Sequence, residues 1–85
     1  MNYKEKETGK KVKAIVWNGE LSAIKAFDNG RSRTILMGEQ LLLTTDVDIH
    51  KVRMGDYLVL DEEDKLSLVE NWFFQDKFEV DLKEA

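Results

Sequence analysis

Tyr57-Leu58-Val59-Leu60-Asp61-Glu62-Glu63-Asp64-Lys65-Leu66-Ser67-Leu68-Val69 is the stretch that decides the fold class. Two short apolar runs flank four consecutive acids, which is the pattern of a β-hairpin with a charged tip. In the second run Leu66 and Leu68 lie two apart and share one face of the strand. A lone hairpin is marginal in water, so this one requires further strands or a helix to cover its apolar face.

Working outward, the preceding segments supply them. Met54-Gly55-Asp56 reads as a turn, and Asp46-Val47-Asp48-Ile49-His50-Lys51-Val52 alternates polar and apolar residues with a period of two. That alternation either continues a strand or opens an adjoining one. Thr34-Ile35-Leu36-Met37 and Leu41-Leu42-Leu43-Thr44-Thr45 flank Gly38-Glu39-Gln40, a second hairpin with glycine where φ can be positive. Nearer the start, Val12, Ala14 and Val16 alternate with Lys13, Ile15 and Trp17 as a strand that ends at Asn18-Gly19. Leu21, Ile24 and Phe27 then recur three apart, with Ala23 and Ala26 beside them, which predicts a short helix. Glu20 falls in its first turn, and Asn29-Gly30 closes it.

Downstream of the hairpin, Asn71 is expected to cap a second short helix carrying Trp72, Phe73, Phe74 and Phe78. Glu79-Val80-Asp81-Leu82 alternates again and reads as an edge strand. The expectation is therefore an α+β domain over residues 12 to 82, with a small mixed or antiparallel sheet of about five strands and two short helices in the order β-α-β-β-(β)-β-β-α-β. Residues 1 to 11 are polar and aperiodic and read as a flexible arm, and residues 83 to 85 as a tail. No internal repeat or low-complexity segment appears.

Composition narrows the function. The chain has 85 residues, 17 acidic and 13 basic, one histidine, no proline and no cysteine, for a formal charge of −4. Without cysteine there is no disulfide framework, thiolate metal site or cysteine nucleophile. His50 stands alone beside Asp48 and reads as a surface residue, and no G-x-S-x-G elbow accompanies it. Glycines are scattered, so no phosphate-binding loop forms. Asp46 with Asp48, and residues 61 to 64, are the candidate metal-binding groupings, and neither follows the twelve-residue calcium loop. The expectation is no enzyme, no metal and no cofactor.

Charge is uneven along the chain. Residues 1 to 33 hold eight basic and four acidic groups, whereas residues 34 to 85 hold five basic and thirteen acidic groups. Lys4, Lys6, Lys10, Lys11 and Lys13, with Tyr3 or Trp17 as stacking platforms, are the nearest thing to a nucleic-acid patch. Glu5 and Glu7 interrupt it, and the net charge opposes a polyanion, so direct nucleic-acid binding is not expected. No apolar run approaches the roughly 20 residues of a membrane span, and the start lacks a signal-peptide core, so a cytoplasmic protein is expected.

Three segments in order resemble one family. Val12-Lys13-Ala14-Ile15-Val16-Trp17-Asn18-Gly19, followed by a short helix ending in Phe27, resembles the V-x-A-I-x-W-x-G opening of a family of small uncharacterised phage and prophage proteins. Gly55-Asp56-Tyr57-Leu58-Val59 resembles its G-D-Y-I-I segment, and Phe74-x-x-x-Phe78-Glu79-Val80 its F-x-x-x-Y-E-V ending. Together they cover most of residues 12 to 80. The chain departs from that family in carrying Lys65-Leu66-Ser67-Leu68-Val69-Glu70-Asn71 where the family has a segment with cysteine and proline, and in a less hydrophobic middle. The resemblance implies a phage-encoded accessory protein acting in the bacterial host cytoplasm, and carries over no catalytic residue.

The leading functional expectation is a binding protein that modulates or inhibits a host protein, a defence nuclease included. Asp61, Glu62, Glu63 and Asp64, with Asp46 and Asp48, would enter a basic nucleic-acid groove on that partner. Trp72, Phe73 and Phe74 span about 200° of helix and cannot all face one sheet, so Trp72 or Phe73 is expected at the surface as a contact. Two alternatives stay open: a virion or assembly component that self-associates as a homo-oligomer through strand edges and the Trp72–Phe73 surface, and a small-ligand or nucleotide-binding module.

Overall fold

The computed structural model describes residues 2–29, 31, 33–45 and 47–81. Strands β1 (Asn2–Glu5) and β2 (Lys11–Val16) precede helix α1 (Leu21–Phe27). Strands β3 (Thr34–Met37), β4 (Gln40–Thr44), β5 (Ile49–Val52), β6 (Tyr57–Asp61) and β7 (Leu66–Val69) follow, then helix α2 (Asn71–Lys77) and strand β8 (Phe78–Val80). They form two antiparallel sheets, one of five strands in the order β7-β6-β2-β1-β8 and one of three in the order β3-β4-β5. The α+β class is as expected, while the strands are divided between two sheets.

Directly opposed residues of an antiparallel pair share a face, so the register sorts the core. Ile15 opposes Leu58, Leu58 opposes Leu68, and Leu60 opposes Leu66. This face packs against Trp17, Ile24 of α1, and Leu41, Leu43 and Val52 of the smaller sheet. On the other face, Val12, Ala14 and Val59 pack against Phe74 and Phe78, with Tyr3, Tyr57 and Val69 around them. Leu58, Val59 and Leu60 are all buried. An unbroken apolar run in β6 is what a strand covered on both faces requires.

The first eleven residues correct an expectation. Instead of a flexible arm, they contain β1, which pairs with β2 on one side and β8 on the other. The strand is polar because only Tyr3 turns into the core, where its ring meets Phe74 edge-on at 4.9 Å. β5 is a separate strand rather than a continuation of β4. The end of α1 also differs in detail: Asn29 itself takes the left-handed conformation, with φ of 56°, and Gly30 lies outside the described residues. So do Leu82 and the expected tail.

Trp17, Gly55 and Asp56 meet at one junction. Gly55, at φ +92°, donates its N–H to the Trp17 carbonyl at 2.9 Å, and the Trp17 N–H donates to the Asp56 carbonyl at 2.8 Å. The buried Asp56 carboxylate then accepts the Arg53 N–H at 3.3 Å and the Asn71 N–H at 3.2 Å. Asn71 is thus the first helical residue of α2 rather than its cap, and the acid that serves the helix start comes from a distant turn. Asp56→Ala is expected to destabilise by about 1–3 kcal/mol, because two N–H groups lose their acceptor. Urea unfolding of the variant measures it, and a change below a few tenths of a kcal/mol would show that the junction holds without the carboxylate.

Candidate interaction surfaces

The acidic tip of the β6–β7 hairpin is mostly committed to its own fold. Asp64 N–H donates to the Asp61 carbonyl at 3.0 Å, and Asp64 has φ of 67°. This is the three-residue hairpin in which a turn is followed by a left-handed residue, a position that usually holds glycine. Asp61 Oδ1 accepts the N–H groups of Glu63 and Lys65, both at 2.9 Å. Asp64 pairs with Arg31, and its carbonyl accepts Arg33 Nη1 at 2.6 Å. Arg33 in turn holds the buried Asp28, through Nε to Oδ1 at 2.7 Å and its main-chain N–H to Oδ2 at 2.8 Å. The hairpin tip is therefore tied to the loop after α1. Glu62 accepts the Lys11 N–H at 3.3 Å. Glu62 and Glu63 are the two acids of the tip that stand exposed.

Asp48 lies in the turn before β5, where its N–H donates to Thr45 Oγ1 and its Oδ1 accepts the Ile49 N–H. Asp46 lies outside the described residues. The β4–β5 turn and the β6–β7 tip belong to different sheets, and Trp72 follows the end of β7 opposite to that tip. The acids and the aromatics singled out in the sequence thus occupy separate elements.

Helix α2 sorts its aromatics by face. Phe74 is buried, stacked on Tyr57 with ring centroids 3.9 Å apart and against Phe78 at 5.1 Å. Trp72 is 68% exposed and Phe73 43% exposed, so both, rather than one, reach the surface. Their rings meet edge-to-face at 5.6 Å, and Trp72 Nε1 donates to Glu70 at 2.6 Å. Lys77 lies 5.9 Å from the Phe73 ring centroid. The helix is anchored at its start by Asp56 and at its end by Lys6, whose N–H donates to the Lys77 carbonyl at 2.9 Å. A rigid aromatic pair with a satisfied indole N–H has the makeup of a contact anchor.

Two grooves and the basic N-terminal segment complete the survey. One groove of about 420 Å³ is floored by Val12, Val59, Val69 and Phe78 and rimmed by Lys10, Lys77, Glu62 and Glu63. A second of about 400 Å³ lies between Lys11, Lys13, Asp61 and Asp64. Both carry charges of both signs. Lys4 pairs with Glu79, and Lys6 Nζ donates to the Gln75 carbonyl, so two of the five N-terminal lysines serve the packing of β8 and α2. Burial pushes the Tyr3 phenol above its ordinary pKa, with Tyr57 adding to the effect. Among the described residues, no three His, Asp or Glu side chains converge to hold a metal ion, and no helix is long and apolar enough to cross a membrane.

The exposed apolar side chains of the smaller sheet form a further surface, which the expected contact residues do not include. Ile35, Met37 and Ile49 are exposed. The available signal was the absence of any charge in Thr34-Ile35-Leu36-Met37.

No protein-family model, curated protein or solved structure matches this chain.

Proposed function

We propose that this chain is a small acidic, non-enzymatic protein of phage or prophage origin that acts in the bacterial cytoplasm by binding a host protein. The Trp72–Phe73 pair is its principal contact. The observation that carries this reading is the exposure of two adjacent aromatics on a helix whose ends are both tied down. Anchors of this kind cost little ordering entropy on binding, which is why Trp and Tyr dominate interface energetics. Trp72 and Asp76 share one face of α2 at a spacing of four, and Glu70 stands beside the indole. The complementary surface is an apolar pocket with basic groups at its rim.

Groove mimicry by the whole acidic tip has less support. Asp61 and Asp64 are used internally, which leaves Glu62 and Glu63 for a partner.

Affinity capture from bacterial lysate tests the reading. The wild-type chain is expected to retain one host protein, and the Trp72→Ala/Phe73→Ala variant to bind it at least about 30-fold more weakly. Its thermal midpoint should barely move, because both side chains are exposed. If Glu62→Lys/Glu63→Lys abolishes capture while the aromatic variant retains it, the contact is the acidic tip. Retention of nothing but the chain itself would count against a host partner.

A further inference from the structure

We propose that β3 is a self-pairing edge through which two copies of this chain join antiparallel, strand to strand, about a two-fold axis at Leu36. The surface is separate from the Trp72–Phe73 pair and does not rest on it.

The main-chain bonding of β3 sets the geometry. Thr44 N–H donates to the Arg33 carbonyl at 2.8 Å, and Ile35 and Met37 oppose Leu42 and Gln40. Bonding residues alternate along an antiparallel strand, so residues 33, 35 and 37 face β4 while Thr34 and Leu36 turn their N–H and C=O groups to the open edge. The Thr34 carbonyl accepts Lys25 Nζ at 2.6 Å. Leu36 is left at the edge with both main-chain groups available to another strand.

Edges are ordinarily protected by charge, proline or burial. β5 carries Lys51 and β8 carries Glu79. β7 has no charge, but of its four side chains only Ser67 is exposed. β3 is covered only at its start, where Thr34 is buried and its carbonyl holds Lys25; the rest of the strand, Ile-Leu-Met, is uncharged, with Ile35 48% and Met37 64% exposed.

The occupant follows from the strand's complementarity to itself. With Leu36 opposite Leu36 of a second copy, Ile35 falls opposite the second copy's Met37 on the outer face. The same alignment brings the Gly38-Glu39 turn of each copy to the start of the other's β3. The cationic Lys25 lies there, so the one charge of the turn meets opposite charge twice per pair. The product is a six-stranded sheet with Ile35, Met37, Leu42 and Ile49 of both copies along one face.

Light scattering on the full chain over a range of micromolar concentrations tests this. The mass is expected at twice the 9.9 kDa of one chain, and Ile35→Lys/Met37→Lys should return it to one. Both positions are exposed, and circular dichroism checks that the variant folds. Because the chain lacks cysteine, register can be read separately. An oxidised equimolar mixture of Ile35→Cys and Met37→Cys chains should cross-link into the mixed dimer well above the level that either gives alone, since opposed strand residues lie within disulfide reach. A wild-type monomer throughout, or a dimer unaffected by the lysines, or cross-linking without preference for the mixed pair, would overturn the proposal. Trp72→Ala/Phe73→Ala should leave the mass unchanged, which separates this surface from the host-binding one.

Discussion

Arg33→Met is expected to destabilise the protein by about 3–5 kcal/mol, because it strands a carboxylate inside the fold. Asp28 is fully buried, and Arg33 supplies a hydrogen bond from Nε at 2.7 Å, an ion-pair contact from Nη2 at 2.7 Å and a main-chain N–H at 2.8 Å. Only the last survives the substitution. The same change cuts the Nη1 bond to the Asp64 carbonyl, which ties the hairpin tip to the loop after α1. A domain of this size has a total stability of roughly 5–10 kcal/mol, and each kcal/mol moves its midpoint by about 4–8 °C, so the melt should fall by ~12–40 °C. Asp28→Asn/Arg33→Met should recover part of the loss, since the stranded charge is then absent. A single-variant loss below about 1 kcal/mol would show that solvent reaches Asp28 in solution and that the tie is dispensable.

Phe74→Ala should cost about as much, roughly 3–5 kcal/mol, for a different reason. The ring stacks on Tyr57 at 3.9 Å with planes 7° apart, takes Tyr3 edge-on and lies against Phe78. Removing it opens a cavity bordered by three aromatic rings that are held by separate strands and cannot all close in. The neighbouring Trp72→Ala should change stability by less than about 0.5 kcal/mol, although the side chain is larger, because its ring is already in water. Urea unfolding with unchanged m-values distinguishes the two. Equal losses for Phe74 and Trp72 would mean that α2 packs differently from the arrangement described.

Local pattern made much of this molecule legible in advance. The β6–β7 hairpin, the β3–β4 hairpin, β2 and the two short helices all announce themselves through spacing within about ten residues, where side-chain direction follows from backbone period alone. The acidic residues at 61–64 fall at a turn for the same reason. β1 was not legible, because Asn-Tyr-Lys-Glu has one apolar residue and no alternation. It is a strand only because β2 and β8, from opposite ends of the chain, bond to its two edges. Which acids of the tip are free was equally hidden, since Asp64 depends on Arg31 and Arg33, more than thirty residues away.

The exposed aromatics show the same division. A count of helical angles establishes that Trp72, Phe73 and Phe74 cannot all be buried. It does not say which one is, and it predicts one exposed ring where the fold exposes two. By itself, the sequence determined the class of the domain, its local elements and the absence of cysteine chemistry, because those follow from residue identity and near-neighbour geometry. Only the tertiary structure decided that the strands split into two sheets, that Asp56 serves a helix fifteen residues later, and that an uncharged strand lies open at an edge. Those outcomes depend on which distant groups satisfy each buried main-chain bond and carboxylate, and no local pattern encodes that choice.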